Sequence, residues 1–263
     1  MVHLDGSPMP DTTVPTDTTF RIYSVSECGL AGYQTAVAVA GSKVAFATLA
    51  ETSGSLDCQL EDRKATAPSY NICVVLPSAA GFSGTIATTQ AYVAKMGVGI
   101  AFDGNGVPVL AYTGGPSGGF RCGGSDMLLA TVSGGTLGAP QTIAADSQSS
   151  GMPADQKANC VQQVCDQGDA TGYWPAIALD PVSHNLGVAF RDLHFGFADT
   201  DFKNSDVEYA FGPGYAFFTV DVARGGGTYN RLAFSPTGKA VVVHYSLDNH
   251  PTVWIDQQID QTT

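Results

Sequence analysis

One phrase, an apolar residue, an alanine and a second apolar residue, occurs four times along this chain: Val37-Ala38-Val39, Ile100-Ala101-Phe102, Ile177-Ala178-Leu179 and Leu232-Ala233-Phe234. Each copy is followed by a turn and a second run: Val44-Ala45-Phe46, Leu110-Ala111-Tyr112, Val188-Ala189-Phe190 and Val243-His244-Tyr245. A self-similar unit constrains the fold more than any single residue does, because each copy can bury its apolar faces only against its neighbours. No stretch carries a sustained 3.6-residue apolar period of helical length, and glycine is abundant while charged residues make up only 14% of the chain. That combination predicts an all-β protein.

Each unit reads as four strands. The first has 35–39, 43–48, 71–76 and 84–88, with a long loop over 49–70. The second has 98–102, 109–113, 127–132 and 141–145. The third has 176–180, 186–191, 207–211 and 217–222, with Tyr173 and Trp174 just ahead of its first strand. The fourth has 231–234, 240–245 and 252–256, and lacks a last strand. Phe20-Arg21-Ile22-Tyr23-Ser24-Val25 alternates in β fashion at the other end of the chain and supplies a candidate for that place. If it completes the fourth sheet, the two ends of the chain close a ring, which is how a β-propeller protects its edges.

The repeat resembles those of bacterial extracellular β-propellers, whose blades read apolar-Ala-apolar-Asp, a glycine turn, then apolar-Ala-aromatic. The resemblance spans nearly all of residues 20–258 and implies a fold, not an activity. The expected architecture is four blades of four antiparallel strands in one domain, 20–263, preceded by a Thr- and Pro-rich tether, 1–19. Distances between the repeat alanines (38, 101, 178 and 233) exceed the usual propeller period of roughly 40–50 residues, so inserted loops are expected rather than extra blades. A half-ring completed by a second chain and a β-sandwich stand as alternatives, the former requiring a dimer and the latter, like the closed ring, allowing a monomer.

In a propeller the first-to-second and third-to-fourth turns share one face, and the second-to-third loops and blade links share the other. Turns of the first kind are short here, whereas the loops over 49–70, 114–126, 146–175 and 192–206 are long, so the elaboration falls on a single face. The six cysteines, Cys28, Cys58, Cys73, Cys122, Cys160 and Cys165, lie in or beside that second group. An even count at irregular spacing points to disulfides and a secreted or cell-surface protein. Cys58 with Cys73, and Cys122 with Cys160 or Cys165, are the pairings considered. Residues 1–19 have no apolar core of a signal peptide, and Met1 reads as a start placed on a mature secreted domain.

Twelve Lys and Arg stand against twenty-four Asp and Glu, a formal net charge of −12 with no basic cluster. Nucleic acid is thereby a poor partner, because phosphate neutralisation supplies most of such affinity. No apolar run approaches the roughly 20 residues of a transmembrane helix. There is no Gly-x-Ser-x-Gly elbow, His-Glu-x-x-His, phosphate loop or dinucleotide fingerprint, and the Ser-x-Asp-x-Gly-x-Thr-Trp boxes typical of sialidase-type propellers are missing.

Candidate chemistry concentrates in the third and fourth units. Between two strands of the third, Arg191, Asp192, His194, Asp199, Asp201, Asp206 and Glu208 gather in a short span. Asp199 and Asp201, with His194 and His250, could ligate Ca²⁺ or another divalent cation. Asp192, His194 and Arg191 are the acid, base and anion-binding candidates of an enzyme. His244 occupies a place where the other units have alanine, and it stands beside Tyr245 and near Asp248 and His250. Tyr173 and Trp174 could line a central opening and stack on a sugar, or anchor the core. Two functions follow. One is a secreted module that binds a glycan, peptide or partner protein on its long-loop face through Tyr173, Trp174, Asp206, Glu208, His244, Tyr245 and His250, with Ca²⁺ assisting. The other is a hydrolase or lyase working through Asp192, His194 and Arg191.

Overall fold

The structure is a computed structural model, and it describes residues 28, 31–60, 63–78, 81–91, 97–114, 126–145, 170–193, 205–221, 226–246 and 252–255. These form sixteen strands in four antiparallel sheets. The first sheet is β1 (Ala31–Ala40), β2 (Lys43–Leu60), β3 (Arg63–Ser78) and β4 (Gly81–Ala91), in sequence order. The second is β5 (Val98–Phe102), β6 (Pro108–Gly114), β7 (Asp126–Ser133) and β9 (Gln141–Ala144), with the two-residue β8 (Thr136–Leu137) folded onto the end of β7. The third is β10 (Ala170–Leu179), β11 (Leu186–Leu193), β12 (Ser205–Phe211) and β13 (Ala216–Asp221). The fourth has three described strands, β14 (Thr228–Phe234), β15 (Ala240–Ser246) and β16 (Thr252–Ile255).

The repeat phrases are the first strands of the four sheets, and those strands surround one axial cavity to which all of them contribute. This is the arrangement of a β-propeller. In the second and third sheets the second runs are apolar throughout because their strands are covered on both faces. On β6, Leu110 and Tyr112 pack in the core between the first and second sheets, while Val109 and Ala111 pack between the second and third. On β11, Val188 and Phe190 face the second sheet and Ala189 faces the fourth, against Ala240 and Val242. Alternation of apolar and polar residues is therefore absent from these strands, since neither face meets water. Each fully buried Val, Leu or Phe contributes roughly 1.5–3 kcal/mol, so the stacking of sheet on sheet is the main source of stability.

The short turns at one end are held by their own side chains. Asp103 Oδ1 accepts the backbone N–H groups of Asn105 at 2.9 Å and Val107 at 2.8 Å. Asp180 does the same for Val182 and Ser183, and Ser235 Oγ accepts from Thr237 and Lys239. Such local side-chain bonds fix the turn without help from the core. Burial acts to raise the Asp180 carboxyl, but hydrogen bonds from the Ser183 hydroxyl and from the Val182 and Ser183 amides, with His184 nearby, hold it below the ordinary carboxylate value.

Three expectations are corrected. The stretch 49–70 is not a long loop: β2 and β3 continue as a paired ribbon, Leu56 opposite Ala67 and Leu60 opposite Arg63, with one register shift between Glu51 and Ser55. Pairing satisfies the backbone groups that an open loop would leave to water. Tyr173 and Trp174 lie within the third inner strand rather than ahead of it, since β10 begins at Ala170. Cys73 is bonded to Cys28, with Cα atoms 5.8 Å apart, and not to Cys58. Cys58 sits opposite Ala65 and Cys73 opposite Thr48 on the same ribbon. The strand from Ala65 to Cys73 runs on the order of 25 Å at roughly 3.3 Å per residue, far beyond the about 7 Å that a disulfide can bridge. The Cys28–Cys73 bond is buried with Ala50, against Val75 and Ile86.

The tether 1–19, the strand proposed over 20–25, and Cys122, Cys160 and Cys165 lie outside the described residues. No helix among the described residues is long and apolar enough to cross a bilayer.

Candidate functional site

The four inner strands share a departure from regular geometry. Gln34, Gly97, Trp174 and Tyr229 all have positive φ, at 51°, 96°, 46° and 55°. Each stands four positions before the alanine of its phrase (34 and 38, 97 and 101, 174 and 178, 229 and 233). At three of these places the ladder also slips, between Tyr33 and Ala36, Tyr173 and Ala176, and Thr228 and Arg231. Bulges of this kind re-aim side chains. For a residue other than glycine the left-handed region costs about 1–2 kcal/mol, and such strain gathers at functional sites.

This ring of bends rims the axial cavity, of about 380 Å³, whose wall includes Gln34, Thr35, Gly97, Trp174, Asn230 and Arg231. It lies at the end of the inner strands opposite the short turns, the face on which the sequence places its elaboration. Trp174 is held in the wall from several sides. A Cβ at Gly97 would come within 3.1 Å of the Trp174 Cα, so glycine is needed there for the second and third sheets to approach. The Arg191 guanidinium carbon lies 5.3 Å from the centre of the indole ring, a cation–π distance. Tyr229 packs on it at 5.8 Å with a 56° tilt, and Tyr173 edge-on at 6.3 Å.

Behind the tryptophan is a buried polar group at the junction of the third and fourth sheets. Arg191 is fully buried, and its Nη1 donates to Thr228 Oγ1 at 2.9 Å. His244, also buried, accepts the Gly227 N–H on Nδ1 at 3.2 Å. The alanine position that His244 replaces thus becomes an anchor for the bend leading into β14. Tyr245, half-buried, stands opposite Thr228.

On the other face of the third sheet are the carboxylates. Asp192 on β11 stands directly opposite Asp206 on β12, and both are half-buried. Glu208 is 4% exposed and its Oε1 accepts from Thr219 Oγ1 at 2.7 Å. Asp192 is also opposite Thr171 on β10, beside the Trp174 bulge.

The structure therefore brings Trp174, Arg191 and His244 together on one side of the third sheet, and sets Asp192 and Asp206 together on the other. Tyr173 is fully buried and contributes to the core rather than to the cavity wall. His194, Asp199, Asp201, Asp248 and His250 lie outside the described residues. Among the described residues no three His, Cys, Asp or Glu side chains are grouped closely enough to hold a metal ion. Gln34, Tyr229, Asn230 and Arg231 were not singled out from sequence. Asn230 is fully buried, and neither Oδ1 nor Nδ2 has a hydrogen-bond partner among the described residues. The Trp174 indole N–H is likewise buried without a partner among them.

No family model matches the chain, and no curated protein matches it in sequence. Solved structures do. The fold is similar to that of an endo-arabinase from Bacteroides thetaiotaomicron, at 14% identity and a TM-score of 0.50, covering 92% of this chain and 80% of that one. It is similar to a Hadza microbial sialidase at 13% identity and a TM-score of 0.50, covering 84% of this chain and 43% of that one. A Trypanosoma rangeli sialidase mutant displaying trans-sialidase activity matches at 10% identity and a TM-score of 0.51, over 92% of this chain and 38% of that one. At these identities the likeness speaks to architecture, and with the four sheets around one axial cavity it makes this chain an all-β protein of the β-propeller fold.

Proposed function

We propose that this chain is an extracellular glycan-directed protein, a glycoside hydrolase in reaction class, whose sugar site is the mouth of the axial channel. The observation that carries the reading is Trp174, a strained residue held in the channel wall by Gly97, Tyr229 and Arg191. A flat indole fixed in a concave wall is a surface on which a pyranose or furanose ring can stack. The fold is shared with an endo-arabinase and with sialidases, which supports hydrolysis over recognition alone. Glycoside cleavage ordinarily uses two carboxyl groups flanking the scissile bond; Asp192 and Asp206 stand opposite each other across β11 and β12, on the other face of the third sheet from Trp174 and outside the described cavity wall, so their part in cleavage is what the substitutions below test. The Cys28–Cys73 disulfide supports an oxidising, extracellular setting.

The experiment is a turnover screen on arabinan, xylan and sialylated oligosaccharides with the full chain and with Trp174→Ala, Asp192→Asn and Asp206→Asn. The tryptophan variant is expected to weaken binding at least tenfold and the asparagine variants to retain binding, with loss of turnover in either one assigning its carboxyl group to the reaction. A second reading, a glycan-binding module without turnover, is favoured by one fact: no carboxylate is among the described residues of the cavity wall. Binding that depends on Trp174, with no product from any glycan, would select that reading. Full activity in Trp174→Ala would reject the channel mouth as the site.

A further inference from the structure

We infer that the sugar bound at the channel mouth carries a carboxylate, an inference that rests on the channel mouth being a glycan site. Its first ground is charge. The chain is acidic, at −12, yet the one charged side chain among the described residues of the cavity wall is a cation, Arg231. A positive charge among otherwise neutral described residues of a recess favours a monoanionic ligand, and low-dielectric walls around it strengthen that preference.

Hydrogen-bonding capacity is the second ground. Arg231 is exposed, and its Nη1 donates to the Asn230 carbonyl at 2.8 Å. This contact anchors a guanidinium that carries five N–H donors in all. Asn230 Nδ2 and Trp174 Nε1 add donors in the same wall, both buried and both without a partner among the described residues. Donors left unsatisfied in a buried site are costly, and an acceptor-only group such as a carboxylate is what would satisfy several of them at once. Asn230 Oδ1, an acceptor without a partner among the described residues, would accept a hydrogen bond from a neighbouring hydroxyl. Trp174 would carry the ring, Arg231 and Asn230 Nδ2 the carboxylate, and Asn230 Oδ1 the hydroxyl beside it.

A sugar carboxylate can come from a hexuronate or from a sialic acid, so the test uses matched pairs. Trigalacturonate is compared with galactotriose, and 3′-sialyllactose with lactose, by calorimetry or ligand-observed NMR at low ionic strength. In at least one pair the acidic member is expected to bind roughly tenfold to a hundredfold more tightly, as a charge-assisted hydrogen bond implies. Which pair shows the preference identifies the source. Arg231→Gln should reduce that preference to less than threefold, while Arg231→Lys keeps part of it, and Asn230→Ala should weaken the acidic ligand at least fivefold. Because Arg231 is exposed, an unchanged thermal midpoint will show that Arg231→Gln is folded. Neutral sugars that bind as well as acidic ones, through Trp174, would overturn the carboxylate while leaving the glycan site standing. So would a preference that survives Arg231→Gln. Binding of none of the four sugars would overturn the carboxylate, and with no binding of arabinan or xylan either, the glycan site as well.

Discussion

Gly227 offers a measurement of how tightly the third and fourth sheets are locked behind the channel. Its φ is +86°, and a Cβ built there would lie 2.9 Å from both Cβ and Cγ of Arg191 and 3.3 Å from the Arg191 Cα. The stem of a fully buried side chain, rather than a flexible tip, is what blocks the added methyl. Gly41 is the control, because its φ is +59° and nothing lies within 4 Å of the same position. Replacing either glycine with alanine imposes the left-handed cost of about 1–2 kcal/mol. Only Gly227→Ala must also displace packed atoms, which costs typically about 1–3 kcal/mol more. The expected totals are about 1–2 kcal/mol for Gly41→Ala and about 2–5 kcal/mol for Gly227→Ala. At about 2–4 °C per kcal/mol in a domain of roughly 150–250 residues, the difference should appear as a further fall in Tm of roughly 2–12 °C. Urea unfolding with linear extrapolation gives the free energies directly, with m unchanged in both variants. Gly227→Ala no less stable than Gly41→Ala would refute the reasoning, since it would mean that Arg191 moves aside freely.

Asp180→Ala should lose about 1.5–3 kcal/mol at neutral pH, because the carboxylate accepts from two backbone amides and the Ser183 hydroxyl. Its carboxyl is lowered in the folded state, so this contribution is complete above the unfolded value and fades as pH falls through the folded one. The stability gap between wild type and variant should therefore hold from pH 8 to 5 and narrow as pH falls below about 4; a gap that does not narrow between pH 5 and 2 would contradict the assignment. Removing the Cys28–Cys73 bond, which closes a sequence separation of 45 residues, should cost on the order of 4 kcal/mol in the chain-entropy account. Peptide mapping without reductant should recover Cys28 joined to Cys73, and a Cys58–Cys73 peptide would contradict the fold of the first sheet.

Much of the fold was legible because the inner and second strands obey a repeat. Val98–Phe102 is found as predicted, and the turns at Asp103, Asp180 and Ser235 fall where the phrases end. The ribbon of β2 and β3 was not legible, since Glu51–Leu60 and Arg63–Tyr70 carry no apolar alternation that distinguishes a strand from a loop. Their pairing is a property of two segments meeting, not of either one. The site was partly legible. His244 stood out because it takes an alanine's place in the repeat, Trp174 as an aromatic ahead of the third phrase and Arg191 as the start of a polar segment, but Asn230 and Arg231 read as the ordinary start of a strand. Counting four back from each repeat alanine reaches Gln34, Gly97, Trp174 and Tyr229, yet nothing in those four residue types announces a shared left-handed bend.

The amino-acid sequence alone determined the class and the repeat: β-strands, because apolar residues recur in short runs between turn residues, and four stacked units, because strands apolar on both faces must be covered on both faces. What only the tertiary structure decided is which polar groups meet. Cys28 reaches Cys73 because the ribbon carries Cys58 away, Arg191 lies under Trp174 because a bulge turns the indole onto it, and Asn230 enters the same wall from another sheet. Such meetings depend on the angle at which sheets stack around an axis, and that angle is set by the packing of all of them together.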